Sequence, residues 1–278
     1  MLKYIYIILS AIGAVALCLI TEAFAGLSWL WLLPAGFVGS FLALLALLFA
    51  LVLIMTALVD MEKPETKDSG FYRAVIHGII SLGIPLLLVR LHEEGLEKKI
   101  PGKCLVVCNH LHELDPVFLL RAFKEKRLAF ISKREVTDMF IVGKFLHKIR
   151  GQFINRENDR EALKTILNCI RIIKEDDASV AVFPEGYCSN DKKLHPLRSG
   201  VFKIALKTKV PIVVCTLQNT HLILKNAMKL KPTDVHMHLV GVIPAEELES
   251  LTAVEVGNRV HKMMADDLGP DLVLQVEE

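Results

Sequence analysis

Between Tyr4 and Ile20, and again between Leu27 and Val59, the chain carries no charged residue. Each stretch is long enough to cross a hydrocarbon core of about 30 Å, and both read as membrane helices. A cleaved signal peptide is the alternative for the first. Yet Ala23-Phe24-Ala25 is followed at once by the second apolar run rather than by a mature domain, which favours a retained hairpin. Lysine and arginine are missing from Tyr4 to Glu62, so the connection near Glu22 has none. Lys3 precedes the first span, and Lys63, Lys67 and Arg73 follow the second. That asymmetry predicts that both ends face the cytoplasm, with Trp29 and Trp31 at the opposite interface.

A surplus of either charge is also lacking. Lysine and arginine number 33 against 31 acids, a net charge of +2. Setting aside the first sixty residues, which hold one lysine and two acids, leaves 32 against 29. This excludes the basic footprint of a nucleic-acid binder and is compatible with an anionic leaflet. The six cysteines are scattered, and Cys104 and Cys108 fall on one strand, two pleats apart and too distant to bridge. A disulfide framework is excluded, in keeping with a reducing compartment. The chain has no Gly-x-Ser-x-Gly nucleophile elbow, no internal repeat and no low-complexity segment.

What is present is a chain of 278 residues, 53% hydrophobic, with a mean hydropathy of +0.43. Residues 1–60 are expected to be a transmembrane hairpin, and 61–100 a linker with interfacial helices. Within the latter, Phe71 to Leu91 is apolar but broken by Arg73, His77 and Gly83/Pro85. It reads as one or two short helices in the membrane interface or as an amphipathic helix packed on the following domain. Residues 101–278 alternate strands and helices. Strands are expected over Lys103–Cys108, Leu128–Ser132, Ser179–Phe183, Val210–Thr216 and Val235–Val242. The clearest helix runs from about Asp159 to Lys174. Ala162, Leu163, Ile166, Leu167, Ile170 and Ile173 form its apolar stripe, and Asn158 with Glu161 resembles a capping box. The fold class is α/β, a mixed sheet flanked by helices behind a two-helix membrane hairpin.

The chemistry centres on Cys108-Asn109-His110-Leu111-His112-Glu113-Leu114-Asp115-Pro116, where a buried strand ends and a helix begins. Asp115-Pro116 is a helix-start signal. Five positions along one helix would turn His110 and Asp115 about 140° apart, but His110 lies in the loop before the helix and can fold back. An aspartate on one imidazole nitrogen fixes the tautomer and leaves the other nitrogen to take a proton from a hydroxyl. A structural histidine is the bland alternative. A metal cluster of His110, His112, Glu113 and Asp115 would still lack ligands at a recognisable spacing.

Three further pieces follow in order. Gly151-Gln152-Phe153-Ile154-Asn155-Arg156 is a short extended run ending in arginine. A strand runs into Phe183-Pro184-Glu185-Gly186-Tyr187-Cys188-Ser189, and Lys209-Val210-Pro211-Ile212-Val213-Val214 begins another strand with proline.

Taken together and in this order, the four pieces resemble the motifs of the 1-acylglycerol-3-phosphate O-acyltransferase (lysophosphatidic acid acyltransferase) family of glycerolipid acyltransferases. Its first motif, a His and an Asp separated by four residues and usually preceded by Asn, matches Asn109, His110 and Asp115. Its second matches Gly151 to Arg156, and its fourth, a Val-Pro-Ile-type strand, Val210 to Val213. Its third, Phe-Pro-Glu-Gly-Thr-Arg-Ser, matches Phe183, Pro184, Glu185, Gly186 and Ser189. Tyr187-Cys188 stands where the family has Thr-Arg, so an arginine expected at the acceptor's phosphate is missing; Arg198 is the nearest replacement.

The resemblance implies that His110 deprotonates a glycerol hydroxyl while Asp115 orients the ring. The hydroxyl then attacks an acyl-CoA or acyl carrier protein thioester directly, without cofactor or metal. It further implies Asn109, Arg156, Glu185, Gly186 and Arg198 as substrate-binding residues, with amides near Gly186 facing the oxyanion. The acceptor would be a membrane lipid. The rivals are an acyltransferase for another lysophospholipid or glycerol-3-phosphate, a lipid or thioester hydrolase using the same pair with water, and a non-enzymatic membrane scaffold.

Overall fold

A computed structural model describes residues 2–97, 100, 102–175 and 178–274. The two uncharged stretches form α1 (Leu2–Ile20) and α2 (Trp29–Ala57), both long and apolar enough to cross a membrane. They pack as a hairpin because small residues meet at the crossing. A Cβ on Gly13 would fall 2.4 Å from Ser40 Oγ, and one on Gly36 would fall 3.1 Å from Ala14 Cα. Small residues allow such close backbone approach between apolar helices, where no hydrophobic drive separates helix from lipid. Tyr6 completes the contact, edge-on to Phe41 at 6.1 Å with its hydroxyl donating to Leu44 O.

α3 (Gly70–Leu86) is a single helix, with Ser69 as its N-cap and Pro85 in its last turn. The expectation of helix up to Leu91 is corrected here, since Val89–Glu94 is a strand, β1. The alternation of Val89 and Leu91 with Arg90 and His92 was its signal, obscured by the apolar run just before it. The α/β unit therefore begins before residue 101.

Along the rest of the chain come β2 (Leu105–Cys108), α4 (Asp115–Ala122), β3 (Leu128–Lys133), α5 (Val142–Lys148) and β4 (Gln152–Ile154). Then follow α6 (Asp159–Glu175), β5 (Ser179–Val182), α7 (Lys203–Thr208) and β6 (Ile212–Gln218). The last are α8 (Ile223–Ala227), β7 (Thr233–Ile243) and α9 (Ala253–Leu268). The seven strands lie in the order β1-β7-β6-β2-β5-β3-β4. All neighbours are parallel except β6 and β7, so the sheet is mixed as expected.

β2 explains why the sheet is covered on both sides. Leu105 and Val107 point into a core with α6, α7 and α9, while Val106 and Cys108 point into a second core with α3, α4 and α8. All four are fully buried. Such continuous apolar strands are what parallel sheets between helix layers require.

The apolar stripe of α6 is rotated from the expected one. Thr165, Ile166, Cys169, Ile172 and Ile173 are buried, while Leu163 and Leu167 are exposed. Its start is capped through Asn158, whose Oδ1 accepts from the amides of Arg160 and Glu161 at 3.1 and 3.2 Å.

The linker after α2 is strapped to this unit. Tyr72 Oη donates to Met55 O, Lys144 to Thr56 O, and His147 to Lys63 O, and Lys148 pairs with Glu65. Arg73 forks onto Asp68 and donates to Leu128 O. The membrane-length helices are thereby held at one fixed side of the sheet.

Candidate active site

Because β2, β5, β3 and β4 run parallel, their carboxyl ends open onto one edge, where open α/β sheets form their crevices. The loop after β2 brings His110, the loop after β5 brings Glu185 to Cys188, and the residues after β4 bring Arg156. His110 Nδ1 lies 2.8 Å from Asp115 Oδ2. The same oxygen accepts from the amides of Leu111 and His112 at 2.6 and 2.9 Å, and Asp115 is fully buried. Asp115 was expected to cap its own helix. It instead sits in the first turn of α4 and closes the preceding loop back onto itself, which brings the ring to the carboxylate. Phe183 stacks on the His110 ring, centroids 4.2 Å apart and planes 17° from parallel.

Glu185 lies beneath this pair at 1% exposure. Its two oxygens accept from the amides of His110 at 2.7 Å and His195 at 3.0 Å. Burial pushes its carboxyl up to about 7, against the pull of those two bonds. A carboxyl so engaged is a tie between the two loops. Ser189 N donating to His110 O, and Lys192 bridging Leu111 O and Ser189 O, add to the same seam. Farther out, His195 joins Tyr187 Oη at 3.1 Å to Asp191 at 2.8 Å, a buttress that no sequence pattern announced.

Gly186 has φ +88, a conformation that costs an L side chain of the order of 1–3 kcal/mol. A Cβ there would lie 2.9 Å from Arg198 Nε and 3.6 Å from Arg156 Cζ. Two guanidinium groups from distant segments therefore flank this one glycine. Burial lowers the pKa of Arg156, and the neighbouring charge of Arg198 lowers it further. Both line a cleft of ≈ 580 Å³, whose wall continues through Phe183 to Ile131, Ile154 and Leu163.

Known proteins resemble the part of the chain that holds these residues. An acyltransferase family model covers residues 90–218, which hold every one of these side chains. The 1-acyl-sn-glycerol-3-phosphate acyltransferase of Cocos nucifera is 26% identical over 231 residues, 82% of this chain and 73% of that one. A probable 1-acyl-sn-glycerol-3-phosphate acyltransferase of Mycoplasma pneumoniae is 32% identical over 158 residues, 55% of this chain and 57% of that one. The crystal structure of the 1-acyl-sn-glycerophosphate acyltransferase PlsC from Thermotoga maritima shares the fold, with a TM-score of 0.59 and 24% identity over 79% of this chain and 86% of that one. Over residues 90–218 the chain is similar to acyltransferases, and the relatives it resembles are named for 1-acyl-sn-glycerol-3-phosphate. It is an enzyme, an acyltransferase.

Within this acyltransferase the expected site residues divide. Gly186, Arg156 and Arg198 line the cleft, and the His110–Asp115 pair adjoins it through Phe183, which stacks on the His110 ring. Asn109 does not: it is 1% exposed, and its side chain both donates to Leu217 O at 2.9 Å and accepts from Leu217 N at 2.7 Å. Its amide extends the β2–β6 ladder past the point where the backbones part, so it holds the loop rather than a substrate. The amide of Gly186 is likewise taken, donating to Phe183 O. Sequence reasoning noticed Cys188 only as a departure from a motif. In space its Sγ lies 3.2 Å from His110 Nε2.

Gly186→Ala is expected to push Arg198 aside and strain the turn. Unfolding stability should fall by roughly 1–3 kcal/mol. The acceptor KM should rise with little change in the thioester KM, as steady-state kinetics on the folded variant would register.

Proposed function

We propose that this acyltransferase moves a fatty acyl group from a thioester donor, acyl-CoA or acyl carrier protein, to the free hydroxyl of 1-acylglycerol-3-phosphate, giving phosphatidic acid. The observation that carries the proposal is the His110–Asp115 pair at 2.8 Å beside two arginines that share one glycine. In this reading Asp115 holds Nδ1–H, so that Nε2 takes the proton of the attacking group. Asp115 also stabilises the imidazolium that results.

Arg156 and Arg198 repel one another in a partly desolvated place. Two such cations are stabilised by an anion bound between them, and a phosphate monoester supplies paired oxygens and about two negative charges to both. Relatives named for 1-acyl-sn-glycerol-3-phosphate support the same acceptor. We further propose that α1 and α2 anchor the enzyme in the cell membrane, with the crevice facing the cytoplasm. Acceptor and product are then both at the bilayer surface.

Competition decides the acceptor. The protein is offered equal 1-acylglycerol-3-phosphate and lysophosphatidylcholine with one thioester, and the products are weighed. Phosphatidic acid should dominate. A clear preference for the choline lipid would make this acceptor wrong, since a substituted phosphate carries one charge fewer for the arginine pair.

A further inference from the structure

The connection from β3 to α5 ends in an uninterrupted apolar run, Met139-Phe140-Ile141-Val142, and Met139, Phe140 and Val142 are exposed. Such a run left outside a fold calls for something to cover it. Its surroundings say what does. Lys144 Nζ donates to Thr56 O in the last turn of α2 and stands 4.8 Å from the Phe140 ring centroid, so one lysine joins that ring to the end of the helix. Phe71, also exposed, reaches the same place, since Tyr72 beside it donates to Met55 O. Ile54 and Leu58 are exposed at this end of α2 as well. From Trp31 to Thr56 the helix rises about 38 Å, close to the roughly 40–45 Å of a bilayer with its headgroups. With Trp31 at one interface, Phe140 stands at the other. The same connection borders the cleft. Arg134 pairs with Glu161 at 3.3 Å, Glu161 accepts from Asn155 at 3.0 Å, and the charge of Glu135 acts on Arg156.

Resting on the membrane-anchored reading above, we propose that Met139, Phe140 and Val142, with Phe71, form a second membrane contact, a patch of the α/β unit that inserts among the headgroups of the leaflet holding the acceptor. Lys133 and Arg134 are matched by Glu135 and Asp138 in the same connection, so the contact is apolar and needs no anionic lipid. A second copy of the chain is the poorer occupant. Stable association of two proteins takes roughly 800 Å² a side, more than four side chains expose, whereas a bilayer asks only for insertion beside helices already in it. The contact sets the mouth of the cleft against the leaflet. An acceptor then passes from the bilayer by way of this patch to Arg156 without carrying its acyl chain through water.

The test uses the full chain in phosphatidylcholine vesicles whose acyl chains carry bromine either near the glycerol or near their middle. Trp29→Phe and Trp31→Phe remove both tryptophans, and Phe140→Trp then supplies a single reporter. Its emission should be blue-shifted and quenched more by the shallow bromines than by the deep ones. Val254→Trp in the same background, on α9 across the sheet from α3, should be unaffected. The joint variant Met139→Ser, Phe140→Ser and Val142→Ser loses only exposed side chains and should melt near the wild type. Its KM for long-chain 1-acylglycerol-3-phosphate held in vesicles should rise about tenfold or more. For a hexanoyl acceptor dissolved as monomers, its acceptor and thioester KM values should both match the wild type. An unquenched reporter at position 140, with Trp29 and Trp31 of the unaltered chain quenched, overturns the contact and leaves the anchor standing. Equal rises in KM for both acceptors overturn it too, since the loss would then lie in the cleft. If no tryptophan is quenched, contact and anchor fail together. An unquenched reporter whose blue shift grows with protein concentration assigns the patch to a second copy and overturns the bilayer. If neither protein uses either acceptor, the acceptor reading fails, and the quenching still decides the contact.

Discussion

His110→Ala should lower acyl transfer by at least about 10²–10⁴-fold, the usual contribution of a positioned general base, while the protein still folds. The structure explains why activity and folding separate here. The ties between the two site loops use the backbone of His110, whose amide donates to Glu185 and whose carbonyl accepts from Ser189. Removing the ring breaks neither tie; it forfeits the stack on Phe183 and the contacts with Asp115 and Cys188. Asp115→Asn should be about as severe, roughly 10⁴-fold in kcat, because an amide opposite Nδ1 favours the wrong tautomer. It should also loosen the loop, since the oxygen lost or turned away accepts two backbone amides besides the ring. Turnover numbers together with thermal unfolding of both variants separate the effects. His110→Ala should melt near the wild type and Asp115→Asn below it.

The second large effect falls on the acceptor. Arg156→Ala removes one of two guanidinium groups beside Gly186, and a charge-assisted hydrogen bond contributes roughly 1.5–3 kcal/mol. The acceptor KM should therefore rise roughly tenfold to 10²-fold, with the thioester KM little changed. Arg156→Lys should recover only part of this, because an ammonium lacks the planar fork that meets two phosphate oxygens at once. Equal rises in both KM values would mean that Arg156 supports the crevice as a whole and does not hold the phosphate.

Much of this was legible in the residues, for identifiable reasons. α1 and α2 follow from long runs without charge, and five of the seven strands from short apolar runs between turns. The approach of His110 to Asp115 follows from a loop standing where a helix would have held them apart. β1 was hidden because Val89 and Leu91 continue an apolar helix, and only pairing with β7 reveals them as an edge strand. β4, three residues long, lies within the extended run from Gly151 to Arg156 but is too short for periodicity to mark it as a strand.

Asn109 and Glu185 were expected at the substrate, and in the fold both are bonded to backbone groups. Motif position tells that a polar side chain is near the chemistry but not whether it is committed to backbone groups underneath. The exposed Leu163 and Leu167 of α6 teach the same lesson from the apolar side. Helical spacing groups them with Ile166, but the sheet covers only the neighbouring stripe, and Leu163 lines the cleft. The approach of Arg198 to Arg156, 42 positions apart in sequence, is set wholly by tertiary structure.

One assay bears on all of these roles at once. Purified protein is given palmitoyl-CoA or palmitoyl-acyl carrier protein with 1-acylglycerol-3-phosphate, and released thiol and phosphatidic acid are counted in the same samples, wild type beside His110→Ala. One phosphatidic acid should appear for every thiol released, and both should vanish in the variant. Thiol released into free fatty acid, or transfer undiminished by the loss of His110, would contradict acyl transfer at this pair.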